Sequence, residues 1–147
     1  MANISQTENR KHLAEARSKE ILTVSKRIFA QHGYRRTTID QIANELNVGK
    51  GTVYRYFKSK KELYLRTLED NLSAFRDMIE DTVSKIERPE LRFKKAIQTF
   101  CNYFENDKDL VELMMQVRSE FKEENKEIFL RLYGGSIKKI QDTLRQC

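Results

Sequence analysis

At 147 residues, with 34% charged and 39% hydrophobic side chains and a single proline, the chain is long enough for one ordinary domain or for two small helical ones sharing a long element. No run approaches the ~18 consecutive apolar residues of a membrane span, and the polar start MANISQTENRKHLAEARSKE lacks the apolar core of a signal peptide. The expectation is therefore a cytoplasmic protein without membrane contact. The net charge of +6 divides unevenly: 14 basic and 8 acidic residues lie up to Asp70, and 14 of each lie beyond it, so the first half is where a polyanion would be met.

In chain order, Arg10, Lys11, Arg17 and Lys19 precede or begin the first helix. Residues 1–16 are expected to form a flexible basic arm, either laid along a polyanion or merely a soluble tail. RSKEILTVSKRIFAQHGY then carries Ile21, Val24, Ile28 and Phe29 at helical spacing, and Gly33 stands where a glycine would end that helix. TTIDQIANEL opens on a cap signal, Thr37 with Asp40 or Thr38 with Gln41. Its apolar residues Ile39, Ile42, Ala43 and Leu46 share one face. Asn47 and Gly49 break the pattern, since both tolerate turn conformations.

A short helix over about Lys50 to Phe57 follows, with Val53 and Phe57 on its apolar face. Ser59 and Glu62 match a second capping box, so a new helix begins at Lys60. Two short helices about a tight glycine-containing turn make a helix-turn-helix. The Gly-Lys-Gly-Thr run at 49–52 is not a nucleotide-binding loop. That motif needs a glycine where Asn44 stands and Ser or Thr where Gly51 stands, after a strand rather than a helix.

Beyond Lys60, Leu65, Leu68, Leu72, Phe75, Ile79, Val83 and Ile86 describe one long helix to about Glu87. Pro89 suits the first position of the next, which carries Phe93, Ile97, Phe100 and Phe104 on one face with Cys101 beside them. Asn106 and Asp107 mark a break. Leu110, Leu113, Met114, Val117 and Phe121 define a further helix. The last carries Ile128, Phe129, Leu132, Tyr133, Ile137, Ile140 and Leu144, interrupted at Gly134 and Gly135. The chain reads as all-α.

The chemistry of the helix-turn-helix points to a duplex. Thr37 or Thr38 and Lys50 lie at helix starts, where free N–H groups meet phosphate. Gly51 has no side chain to hold a partner away. Thr52, Tyr54 and Arg55 point outward from the apolar face, where the first two can touch a thymine methyl or a base edge and Arg55 can fork onto guanine. Tyr56 and Lys60 suit backbone phosphates. Against this stand plainer roles: the tyrosines as half-buried packing, Thr38 as a cap only, Lys58, Lys60 and Lys61 as a solvated face. The helix-turn-helix spacing favours the functional reading over these. Cys101 and Cys147 form no metal spacing and no disulfide framework, and nothing pairs His12 with His32. No metal site and no cofactor are expected. Neither H-E-x-x-H nor G-x-S-x-G occurs, which speaks against an enzyme.

TTIDQIANELNVGKGTVYRYFKSKKEL, preceded by AQHGYRR, resembles the DNA-binding domain of the tetracycline-repressor (TetR) family of bacterial regulators, over about Ile21 to Leu63. The resemblance implies a three-helix DNA-binding domain over 17–63, joined by a long helix to a helical ligand-binding and dimerisation domain over 64–147. It implies DNA contacts at Thr38, Lys50, Gly51, Thr52, Tyr54, Tyr56 and Lys60; Arg55 is added on its chemistry alone. It also implies a homodimer on a palindromic operator and a small-molecule inducer, for which Phe100, Cys101, Phe104, Met114, Met115 and Tyr133 are candidate pocket residues. Family members continue for several tens of residues past DTLRQC, so the second domain is expected to be incomplete. The competing reading keeps the DNA head but makes the protein an organiser of the chromosome or a partner of another protein, without an inducer.

Overall fold

The computed structural model describes residues 2–146, with side chains described for all but 2–5, 125, 136, 137, 139, 140, 143, 144 and 146. Among these residues the regular structure is all helical: α1 Ala2–Arg36, α2 Ile39–Glu45, α3 Lys50–Tyr56, α4 Lys60–Val83, α5 Pro89–Asn106, α6 Lys108–Glu120 and α7 Asn125–Gln146. The chain divides into two compact units, 1–67 and 68–147, with α4 contributing to both.

The first unit is built around α1. Ile21, Leu22, Ile28 and Phe29 are buried, and Val24 is half-buried. The spacing also turns Ser25 inward, where its hydroxyl is fully buried without a hydrogen-bond partner. Gly33 breaks the helix at φ 79° and ψ 156°, a conformation essentially restricted to glycine. The chain then turns back, and α2 packs on α1 and α3. Ile39, Ile42, Ala43, Val53 and Phe57 close the core with Leu63 and Tyr64 from α4. Asn47 takes the left-handed conformation in the turn at φ 53°, whereas Gly49 is extended and stands before α3. Burying side chains such as Ile42 or Val53 stabilises each by roughly 1.5–3 kcal/mol, which two seven-residue helices need because neither is stable alone.

Three expectations are corrected here. Residues 2–16, expected as a flexible arm, continue α1 as helix. The side chains of 6–16 are all exposed, and ion pairs one turn apart, such as Arg17–Glu20 at 2.7 Å, run along it. The long helix ends at Val83 rather than near Glu87: Ile86 N–H turns back onto the Val83 carbonyl at 3.0 Å, and Arg88 is extended, as the residue before a proline prefers. Gly134 and Gly135 do not interrupt α7. Glycine costs a helix only about 1 kcal/mol each, and Ile128 and Leu132 are buried on the turns before the pair. The expected apolar positions Ile137, Ile140 and Leu144 have side chains outside the described residues, and Cys147 lies outside them altogether.

In the second unit α5 packs on α6 and α7. Leu110, Leu113, Val117 and Phe121 of α6 and its C-cap are buried with Ile128 and Leu132 of α7. Asp107 caps α6 by accepting from Leu110 N–H at 3.1 Å. Arg76 Nη1 of α4 donates to the Leu132 carbonyl at 3.0 Å. Burial, with the charge and hydrogen bond of Asp107 adding to it, pushes the Tyr103 phenol up to about 12.

Two outcomes follow from this geometry. Gly33→Ala should destabilise the protein by about 1–3 kcal/mol, read as a lower urea midpoint, although no atom stands within 4 Å of an added Cβ; the cost is conformational alone. Because folded Tyr103 keeps its proton above the ordinary value of 10, the stability it confers is complete below pH 10 and is lost as pH rises toward 12. Tyr103→Phe should therefore flatten the alkaline fall in the thermal midpoint.

Candidate nucleic-acid interface

Of the two capping boxes the sequence allows at α2, Thr38 and Gln41 form the one that is made. Gln41 N–H donates to Thr38 Oγ1 at 3.2 Å, and Thr38 N–H donates to Gln41 Oε1 at 2.8 Å. Thr38 is exposed. Thr37, also expected at the DNA surface, is fully buried. Its hydroxyl donates to the Gly33 carbonyl at 2.8 Å, and its N–H does so at 3.1 Å. The reversal at Gly33 folds Thr37 beneath the end of α1, so its side chain closes that helix and cannot meet DNA.

On α3, Val53 and Phe57 are buried and the complementary face is free. Lys50, Gly51, Tyr54 and Arg55 are exposed, and Thr52 and Tyr56 are half-buried. Tyr54 keeps 46% of its surface accessible. The Arg55 guanidinium lies 5.5 Å from the centre of the Tyr56 ring. Lys50 Nζ lies 3.5 Å from Asp40 Oδ1, so the start of α3 and the first turn of α2 are adjacent. Gly51 meets no described atom within 4 Å of where a Cβ would stand.

Lys60 departs from expectation. Its ammonium donates to the carbonyls of Tyr34 at 2.9 Å, Thr37 at 3.0 Å and Arg35 at 3.3 Å, and it lies 4.6 Å from the centre of the Tyr34 ring. A lysine has three donors, and all three are used on carbonyls at the end of α1. In this structure Lys60 is a helix cap, with no donor left for phosphate. Tyr34 in turn joins Phe29 and Tyr64 in a cluster with ring centres 5.0–6.1 Å apart. Residue patterning missed Tyr34 and Asp40. The glycine break just before an aromatic was the available signal for the first. Asp40 reads from sequence only as a capping partner for Thr37 in the first turn of a helix.

At the start of α4, Glu62 N–H donates to Ser59 Oγ at 3.1 Å, but the glutamate accepts from Lys58 N–H at 2.9 Å rather than from Ser59.

The six candidate pocket residues are spread over α5, α6 and α7. Phe100 and Phe104 are in contact with ring centres 4.6 Å apart, and both pack on Phe75. Tyr133 pairs with Phe129, and its phenol is raised by burial. Met114 is half-buried, whereas Cys101 is exposed and Met115 keeps 68% of its surface accessible. Two open depressions of about 430 and 460 Å³ lie on this unit, and of the six only Met115 borders either. The second is lined by Met78, Thr99, Asn102, Tyr103, Asn106 and Asp107. No group of three or more potential metal ligands occurs among the described residues, and none of their helices is long and apolar enough to cross a membrane.

An exposed short helix packed on a second short helix across a tight turn, with tyrosine, arginine and lysine exposed, is the geometry of a helix-turn-helix. Residues 21–67 match the family described as bacterial regulatory proteins, tetR family, so this segment is a DNA-binding domain of the TetR type. The chain is 24% identical over 135 residues to the HTH-type transcriptional regulator HbdR of Aromatoleum sp. (strain CIB), covering 92% of this chain and 59% of HbdR. Its fold matches that of the fatty acid degradation regulator FadR from Bacillus halodurans, with a TM-score of 0.75 and 19% identity over 88% of this chain and 66% of that one. It also matches FadR from Bacillus subtilis in complex with stearoyl-CoA, with a TM-score of 0.67 and 20% identity over 84% and 71%. The chain thus spans 59% of the length of HbdR and 66% of the Bacillus halodurans protein.

Lys60→Met retains the aliphatic stem and removes the donors. It should lower the stability of the 1–67 unit by about 2 kcal/mol, seen as a lower midpoint in circular dichroism. An unchanged midpoint with a shallower salt dependence of DNA binding would mean instead that the ammonium serves phosphate.

Proposed function

We propose that this protein is a transcriptional repressor that binds a palindromic DNA operator as a homodimer in the cytoplasm and is released by a small apolar molecule. The observation that carries the DNA part is Gly51. Glycine is a poor helix former, and although Gly51 stands in the first turn of α3, nothing in the fold occupies the space beside it. The cost has no internal return, and close approach of a duplex supplies one. Thr52, Tyr54 and Arg55 would then reach base edges, with Thr38, Lys50 and Tyr56 on phosphates. Two copies would read half-sites ~34–36 Å apart.

The regulatory part rests on the helical second unit, residues 68–147, with α4 as the covalent path between ligand and head. Release requires a coupling of ~1–3 kcal/mol between the two. Phe100, Phe104, Met114 and Tyr133 offer aromatic and thioether surface to an apolar ligand. The fold match to a regulator in complex with stearoyl-CoA makes long-chain acyl thioesters the first ligands to screen.

The test is selection of duplexes from a random library by the purified protein, followed by affinity measurements over a salt series. An inverted repeat should emerge. Gly51→Ala should weaken binding to it by roughly tenfold while leaving thermal stability equal or higher. Lys50→Ala should reduce the slope of log affinity against log salt by about 0.9. Salt-sensitive binding without any enriched sequence would instead favour a protein that organises DNA without an operator.

A further inference from the structure

Asp40 is set against the charge of its surroundings. α3 carries no acid, and the other acid of α2, Glu45, pairs with Arg27 of α1. Asp40 instead extends to the first residue of α3, with Oδ1 3.5 Å from Lys50 Nζ. The two side chains are 63% and 62% exposed, and a pair so exposed contributes little to stability. What the pair does is hold a carboxylate beside the residues that the proposed function aims at DNA.

A carboxylate there is repelled by phosphates and by base acceptors, so it is tolerated only where it accepts a hydrogen bond. In the major groove the base donors are the N6 amino group of adenine and the N4 amino group of cytosine. Adenine presents its N7 acceptor beside N6, which opposes a carboxylate. Cytosine N4 has an acceptor on one side only, O6 of its paired guanine, and a C5–H on the other, whereas adenine N6 lies between its own N7 and thymine O4. We infer that Asp40 is a specificity-determining residue that accepts a hydrogen bond from the N4 amino group of a cytosine in each half-site, with Lys50 neutralising its charge. This rests on the DNA-binding reading above.

Selection from a random duplex library with the wild-type protein, Asp40→Ala and Asp40→Asn tests it. The wild type should select cytosine at one fixed position of each half-site. Asp40→Ala should lose at least about tenfold of that preference at that position alone, while its affinity for unrelated duplex rises because Lys50 is freed. Asp40→Asn should move the preference toward adenine, whose N6 and N7 an amide pairs with together. A role confined to the charge at the start of α2 would weaken binding at every position alike and lower the thermal midpoint; that result, or three identical preferences, overturns the inference while leaving the DNA-binding reading intact. If the wild type binds no duplex, that reading falls as well.

Discussion

The head of this protein depends on how the end of α1 is closed. A helix leaves its last carbonyls without partners, and Gly33 makes the problem harder by turning the chain sharply in a conformation only glycine adopts readily. The solution comes from far along the chain. Lys60 brings one ammonium to the carbonyls of Tyr34, Arg35 and Thr37, while Thr37 returns both its N–H and its hydroxyl to Gly33. The start of α4 is thereby tied to the end of α1, and everything from Thr38 to Ser59 is a loop of two short helices held between fixed ends. The Phe29, Tyr34 and Tyr64 rings pack directly beside the same junction.

Those fixed ends explain how α3, only seven residues long, can be exposed on one face. It has no side-chain cap and only Val53 is buried within it, with Phe57 at its C-cap. Its order comes from what it packs on rather than from its own propensity. The free face can therefore carry residues that a helix under its own support would avoid: a glycine in the first turn, an exposed tyrosine, and a lysine partnered to the acid of a neighbouring helix. The proposed function uses the face that folding leaves free.

Local signals were legible in the sequence, and distant ones were not. The second capping possibility at α2, the left-handed turn at Asn47, the inward Val53 and Phe57 and the start of α4 at Lys60 all follow from residues within one helical turn of each other. Thr37 and Lys60 were misjudged for a common reason. Each satisfies a break created by Gly33, and for Lys60 the acceptors lie 23 to 26 residues away, where neither periodicity nor capping grammar reaches. The end of α4 and the continuity of α7 through two glycines turned on the balance between propensity and packing, which spacing alone does not weigh.

The second unit shows the other limit of periodicity. The stripe on α5 is real as a pattern: Phe100, Tyr103 and Phe104 all reach Phe75 and form one aromatic cluster. Yet no residue of α5 is fully buried, and Ile97 and Phe100 keep nearly half their surface accessible. A period of 3.6 identifies which side chains share a face; it carries no information about how much material lies on that face. In the first unit most stripe residues, Ile21, Ile28, Phe29, Ile39, Ile42 and Val53 among them, are buried, as are Leu110, Leu113 and Val117 on α6. On α5 the stripe stays half open, and the candidate pocket residues divide accordingly: Phe100 and Phe104 belong to the aromatic cluster, Met115 and Cys101 to the surface. Apolar character alone therefore ranks these six equally, and only their neighbours separate them.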